Sequence, residues 1–339
     1  ETVMLAQVVR RLLAAWFEAS TGDLGHARDH LDDVAALAES IGDVELKARG
    51  AYYLAYVVSH DGDFHAGLTE TDRSRALYDG LQRPWDVAAN ELFATRAAIS
   101  VGDEVLAVFA VERTTAALAA VADPWLHVRF EAMRGELARL QHRFDDAVEH
   151  IRRAAAESRR LGFLQTEAYQ VASLGRAECQ AGDYQGGAAT LLLAIAMAEA
   201  IGDVRMAALA RVHLGRVLRA LGDTPGARAV LEEAVAWHRA AGGGEQAVLG
   251  ECLLAAMDAG NADEDAVHRL AAVLAQAVAE DNAPAEVFAL DALARIAAEA
   301  GDMAGTSDLS ARADARMQLA SHFIAEQDRV DARRRLSST

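Results

Sequence analysis

The chain has 339 residues, 52% of them hydrophobic but only 6% aromatic, and its 33 basic against 51 acidic residues leave a formal net charge of −18. That excess of acid argues against general binding to nucleic acid or to anionic membranes. The apolar fraction is carried by 77 alanines, which suits closely packed helices and not sheet, since Ala is the best helix former and strands draw on branched and aromatic side chains.

Along the chain, Gly-Asp pairs stand at Gly22-Asp23, Gly42-Asp43, Gly62-Asp63, Gly102-Asp103, Gly182-Asp183, Gly202-Asp203, Gly222-Asp223 and Gly301-Asp302. The intervening slots hold Arg83-Pro84, Asp123-Pro124, Gln141-His142, Gly162, Gly242-Gly243-Gly244, Gly260-Asn261 and Asn282-Ala283-Pro284. Gly supplies the left-handed residue that ends one helix, and Asp caps the next. Between these breakers apolar residues recur at three and four, as in Leu209, Val212, Leu214, Val217 and Leu218, the period of an amphipathic helix. Each segment predicts a helix of about 15 residues, roughly 22 Å long. No segment alternates with period two, so an all-α chain is expected.

Taking every second breaker gives turns at 22, 62, 102, 142, 182, 222, 260 and 301, with five gaps of 40 residues followed by 38 and 41. Seven residues before them stand Ala15, Ala55, Thr95, Gly135, Gly175, Gly215, Leu253 and Ala294, and five residues after stand Ala27, Gly67, Ala107, Ala147, Gly187, Ala227, Asp265 and Thr306. Small residues at both positions allow two antiparallel helices to cross closely. Nine residues after the turns come Leu31, Thr71, Val111, Ile151, Leu191 and Leu231, a mostly apolar row for the next pair. The pattern predicts eight helical hairpins in a single repeat domain over residues 1–320, with a helical extension or linker over 321–339. The seventh hairpin is expected to be irregular, because Asp265 and Arg269 occupy its small and apolar slots.

The spacing Leu214-Gly215, Gly222, Ala227, Leu231, Ala234, repeated as Leu174-Gly175, Gly182, Gly187, Leu191, Ala194, resembles the tetratricopeptide pattern. The 40-residue period is similar to the sensor regions of large LuxR-type bacterial transcription regulators, the maltose-regulon activator and antibiotic-pathway regulators among them. The resemblance implies a right-handed α-solenoid of about eight hairpins. It also implies a non-catalytic sensor or binding region in which the first helix of each pair lines a concave surface.

Six residues before each turn, in the slot that should face such a groove, stand Trp16, Tyr56, Arg96, Glu136, Arg176, Arg216, Leu254 and Arg295. Nearby slots add Arg129, Arg139, Arg219, Tyr52 and Tyr169. A guanidinium matches carboxylate or phosphate bidentately. The candidate ligand-binding set is therefore Tyr52, Tyr56, Arg96, Arg139, Arg176, Arg216 and Arg219, facing a protein, an acidic peptide or a small anionic ligand. The same arginines could instead pair with Glu91, Glu131, Glu136 and Glu178 on neighbouring helices. Tyr52, Tyr53, Tyr56, His60 and Trp16 form either a second subsite or inter-repeat core.

Other constellations offer little chemistry. His26 and His30, with Asp29 and Asp33 beside them, have one-face spacing for a metal but no third ligand. Asp61-Gly62-Asp63 lacks a calcium-loop pattern, and Gly242-Gly243-Gly244 lacks the Lys-Ser/Thr of a phosphate loop. Cys179 and Cys252 read as helical residues, not as a disulfide framework or nucleophiles. No catalytic residue, metal or cofactor is expected. No leader is evident, and the longest apolar stretch, Ala188 to Ala198, is far short of the roughly 20 residues that span a bilayer. The chain, which begins at Glu1, reads as an excised cytoplasmic piece. A free-standing scaffold protein and a receptor for a short signalling peptide are the alternatives to a regulator's sensor.

Overall fold

A computed structural model describes residues 8–15, 18, 23–60, 64–241, 245–259 and 264–320. All of its regular structure there is helical. In chain order the helices are α1 (described over residues 8–15), α2 (Leu24–Ile41), α3 (Val44–His60), α4 (Phe64–Gly80), α5 (Pro84–Val101), α6 (Glu104–Leu118), α7 (Pro124–Leu140) and α8 (Phe144–Leu161). They continue as α9 (Leu164–Gln180), α10 (Tyr184–Ala200), α11 (Val204–Ala220), α12 (Thr224–Ala240), α13 (Glu245–Ala259), α14 (Glu264–Ala279), α15 (Ala283–Glu299) and α16 (Met303–Ala320). The chain divides into two units, Glu1–Gln170 and Val171–Thr339.

The breakers act as their chemistry requires. Gly42, Gly102, Gly162, Gly182, Gly202, Gly222 and Gly301 all have positive φ. The Asp side chains that follow accept from the first free backbone N–H groups of the next helix: Asp43 from Leu46 at 3.0 Å, Asp183 from Gly186 at 2.8 Å and Asp203 from Met206 at 2.9 Å. Three turns use other residues in the left-handed position, Gln82 (φ 53°), His142 (φ 57°) and Asp281 (φ 53°). Two of these stand just before the prolines and cap that marked the turn in the sequence. Asn282 is the cap, accepting from the Ala285 N–H at 3.1 Å. A left-handed L-residue costs about 1–2 kcal/mol, more than the ~0.5–1 kcal/mol of chain entropy that glycine adds. Gln82 is exposed, so Gln82→Gly is expected to raise stability in urea by roughly 0.5–1 kcal/mol. A loss of stability would show that the side chain, and not the backbone, matters there.

The small and apolar rows form the hairpin crossings. Ala27, Ala107, Ala147 and Ala227 are fully buried, as are Ile151, Leu191 and Leu231. A Cβ added at Gly175 would lie 2.9 Å from Leu191 Cγ and 3.0 Å from the Gly187 carbonyl oxygen. One added at Gly187 would lie 2.2 Å from Cys179 Sγ and 2.6 Å from the Gly175 carbonyl oxygen. Two facing glycines thus bring the α9 and α10 backbones into direct contact. In the first unit, where Thr71, Ser74, Thr95 and Thr114 are buried, the hydroxyls find local partners. Ser74 Oγ donates to the Ala48 carbonyl at 2.7 Å, and Thr95 and Thr114 share a hydrogen bond of 2.8 Å.

The seventh hairpin corrects the sequence reading. Asp265 and Arg269 are exposed, whereas Ala266 and Leu270, one residue further on, are fully buried in the core shared by α11 to α16. The register follows the apolar residues, so a turn counted one residue later restores the pattern, and polar side chains occupy no core slot here. Trp16, the His60 side chain, Gly242–Gly244, the seventh turn and the arginines of the 321–339 segment lie outside the described residues.

Candidate functional site

In the second unit, Arg176, Cys179 and Gln180 of α9, Tyr184 and Leu191 of α10, and His213, Arg216 and Val217 of α11 line one pocket. Its empty volume, open solvent at the mouth included, is about 380 Å³. Arg176 and Arg216 occupy the same slot of successive repeats, so their helices deliver both guanidiniums to this pocket. Both are half-buried. The Arg216 and Arg219 guanidiniums lie 5.2 and 5.5 Å from the centre of the Phe288 ring on α15, close enough for cation–π attraction. Phe288 was not singled out in the sequence, although it stands 13 residues before its turn, the register that Tyr169 and Arg129 also hold.

In the first unit, Tyr52 and Tyr56 of α3 pack their rings against Phe93 of α5, with centroids 6.1 and 6.3 Å apart. Arg96 stacks on the same Phe93 at 5.8 Å, and Arg129 covers Trp125 at 4.5 Å, both on α7. Burial pushes the Tyr52 phenol up, while the positive charge of Arg129 and, more weakly, of Arg96 pulls it down. Tyr53 meets Tyr52 edge-on at 5.7 Å and packs against the core below α2 and α3.

Arg139, expected beside the groove arginines, is only 3% exposed and holds Glu136 through its Nε at 2.8 Å. It therefore sits where a structural ion pair would. The other carboxylates named as alternative partners are engaged as well. Arg113 grips Glu91 with two hydrogen bonds of 2.8 Å, His150 and Arg153 each approach Glu131 at 2.9 Å, and Glu178 accepts from Thr190 at 2.6 Å.

Among the described residues, no group of three or more His, Cys, Asp or Glu could hold a metal ion, and no helix is long and apolar enough to cross a membrane. Asp23 instead caps α2, accepting from the His26 backbone N–H, and its carboxylate also lies 2.7 Å from His26 Nδ1, which raises the imidazole pKa. The Cys252 thiol is fully buried and pushed up to about 12 by burial, so it stays protonated.

No protein-family model and no curated protein matches the sequence, but solved structures match the fold. A Rap protein complexed with Competence and Sporulation Factor is similar at a TM-score of 0.69 and 10% identity, over 94% of this chain and 99% of that one. The Rap conjugation gene regulator of plasmid pLS20, in complex with the Phr peptide, is similar at 0.69 and 12%, over 94% and 98%. A signal-transduction ATPase of the STAND class with a tetratricopeptide repeat sensor, from Pyrococcus horikoshii, is similar at 0.52 and 13% over 88% of this chain but only 43% of its own. At such identities the likeness is one of fold. The fold is the all-α, tetratricopeptide-like repeat of helical hairpins, with the pocket arginines on its odd-numbered helices.

Proposed function

We propose that the chain is a non-catalytic repeat module of the cytoplasm that binds an acidic peptide or an acidic segment of a partner protein. The observation that carries this reading is the delivery of Arg176 and Arg216 to one pocket in a protein of net charge −18. Attraction for a carboxylate inside a half-enclosed site exceeds that at an open surface. The Phr peptide bound to the pLS20 regulator, a structure of similar fold, supports the peptide as ligand class. A regulator's sensor is the second reading, favoured by the likeness to the repeat sensor of the STAND protein. In both readings the peptide-binding step is the same.

Calorimetric titration with hexaglutamate and with hexalysine tests the proposal. Hexaglutamate should bind, more weakly as salt rises from roughly 0.05 to 0.5 M because the Debye length shrinks about threefold, and hexalysine should not. Equal binding of the two peptides, or indifference to salt, would rule out an arginine-based site.

A further inference from the structure

The aromatic cluster of the first unit differs from the pocket of the second in one respect. The Arg129 guanidinium is half-buried, lies on the Trp125 ring at 4.5 Å, and has no carboxylate within 4.0 Å among the described residues. The Trp125 indole N–H and the Tyr52 hydroxyl likewise have no hydrogen-bond partner among the described residues. By contrast, the neighbouring Trp85 indole donates to Asp123 at 3.0 Å. Tyr52 and Trp125 pack on a single core cluster, formed by Leu92, Leu126, Phe130 and their neighbours, although they come from α3 and α7. The charge of Arg129 is felt at the Tyr52 phenol, and its guanidinium lies on the Trp125 ring, so Arg129 is near both side chains.

We infer that Tyr52, Trp125 and Arg129 form a second carboxylate subsite, contained within the first unit, that takes an acidic residue of an extended peptide. All three groups can donate, and a carboxylate offers four acceptor lone pairs to receive them. A guanidinium already stacked on an indole has lost much of its rotamer freedom, so less is lost again on binding. Tyr52 and Tyr56 are half-buried, and the accessible part of their rings gives the peptide's apolar atoms somewhere to rest. Among the described residues of a chain with 51 acidic side chains, no carboxylate pairs with Arg129. The inference rests on the peptide-binding reading above, but on different residues.

The test is fluorine NMR of the whole chain labelled with 5-fluorotryptophan, the Trp125 line being assigned by its loss in Trp125→Phe. Hexaglutamate should move that line saturably, while hexalysine and inorganic phosphate at the same concentrations leave it in place. Arg129→Gln should weaken the response about tenfold and Tyr52→Phe several-fold, as expected for losing a hydrogen bond to a charged group. Tyr52→Phe removes only one oxygen, so it keeps the test open should Arg129→Gln disturb folding. Arg176→Ala with Arg216→Ala should leave the Trp125 response intact. A Trp125 line unmoved by hexaglutamate, moved as strongly by phosphate, or moved equally in Arg129→Gln and Tyr52→Phe would overturn the subsite. Failure of the second-unit pocket would instead appear as unchanged affinity in the Arg176/Arg216 double variant.

Discussion

Between pH 7.5 and pH 5 the protein should lose about 2 kcal/mol of stability through a single residue, His238. This imidazole is 7% exposed on α12, with no hydrogen-bond partner at Nε2. Burial, helped by the positive charge of Arg205, lowers its pKa from 6.5 to about 4. Above pH 6.5 both folded and unfolded chains carry it neutral, and it adds no pH dependence. Between 6.5 and 4 the unfolded chain takes up a proton that the folded chain refuses, so stability falls as pH falls. Below 4 both states are protonated and the loss levels off. Equivalent slots in other repeats hold Ala38, Leu118 and Ala198, all buried, so His238→Leu should fold and lack this dependence. Urea titrations should show the stability gap between variant and wild type widening by about 2 kcal/mol from pH 7.5 to 5. A constant gap would mean that His238 titrates as it does in the unfolded chain.

Gly187→Ala should destabilise the chain by about 1–3 kcal/mol, the usual cost of overpacking. Helix propensity alone argues the opposite sign, since Ala is favoured over Gly by about 1 kcal/mol in a helix interior. The added Cβ would stand 2.6 Å from a backbone carbonyl oxygen, and backbone gives way less readily than a side chain. Gly42→Ala meets nothing within 4 Å but has φ 69°, so it should lose stability through backbone strain alone. A stabilised Gly187→Ala protein would show that α9 and α10 can separate without cost.

The hairpin frame was legible because two independent signals agreed, the breakers every 20 residues and the small residues on either side of every second one. The register of the seventh hairpin was not. Counting from Gly260 put Asp265 and Arg269 inward, but burial of Ala266 and Leu270 is worth more than keeping a fixed count. Left-handed residues at Gln82 and Asp281 were hidden for a related reason. Pro84 and Asn282 are strong start signals for the following helix, and they drew the turn forward by a residue. Within the site, Arg176 and Arg216 could be paired in advance, because one slot in successive repeats falls on neighbouring helices. Arg139 and Arg219 share a slot three residues before their turns, yet one is buried against Glu136 and the other stacks on Phe288. A repeat count fixes the direction of a side chain but not the chemistry it meets.

Many arginines are tied to carboxylates, as in Arg239 with Glu251 and Arg159 with Glu167, both at 2.6 Å. If Arg176 and Arg216 served only in that way, removing them would be felt in stability and not in binding. The direct measurement is hexaglutamate affinity and thermal unfolding of the double variant Arg176→Ala, Arg216→Ala beside the wild-type chain. Loss of two charged hydrogen-bonding groups should weaken binding at the second-unit pocket by at least about a hundredfold, leaving only the first-unit component, with the unfolding temperature nearly unchanged. A markedly lower unfolding temperature with affinity intact would make both residues structural and contradict the peptide site.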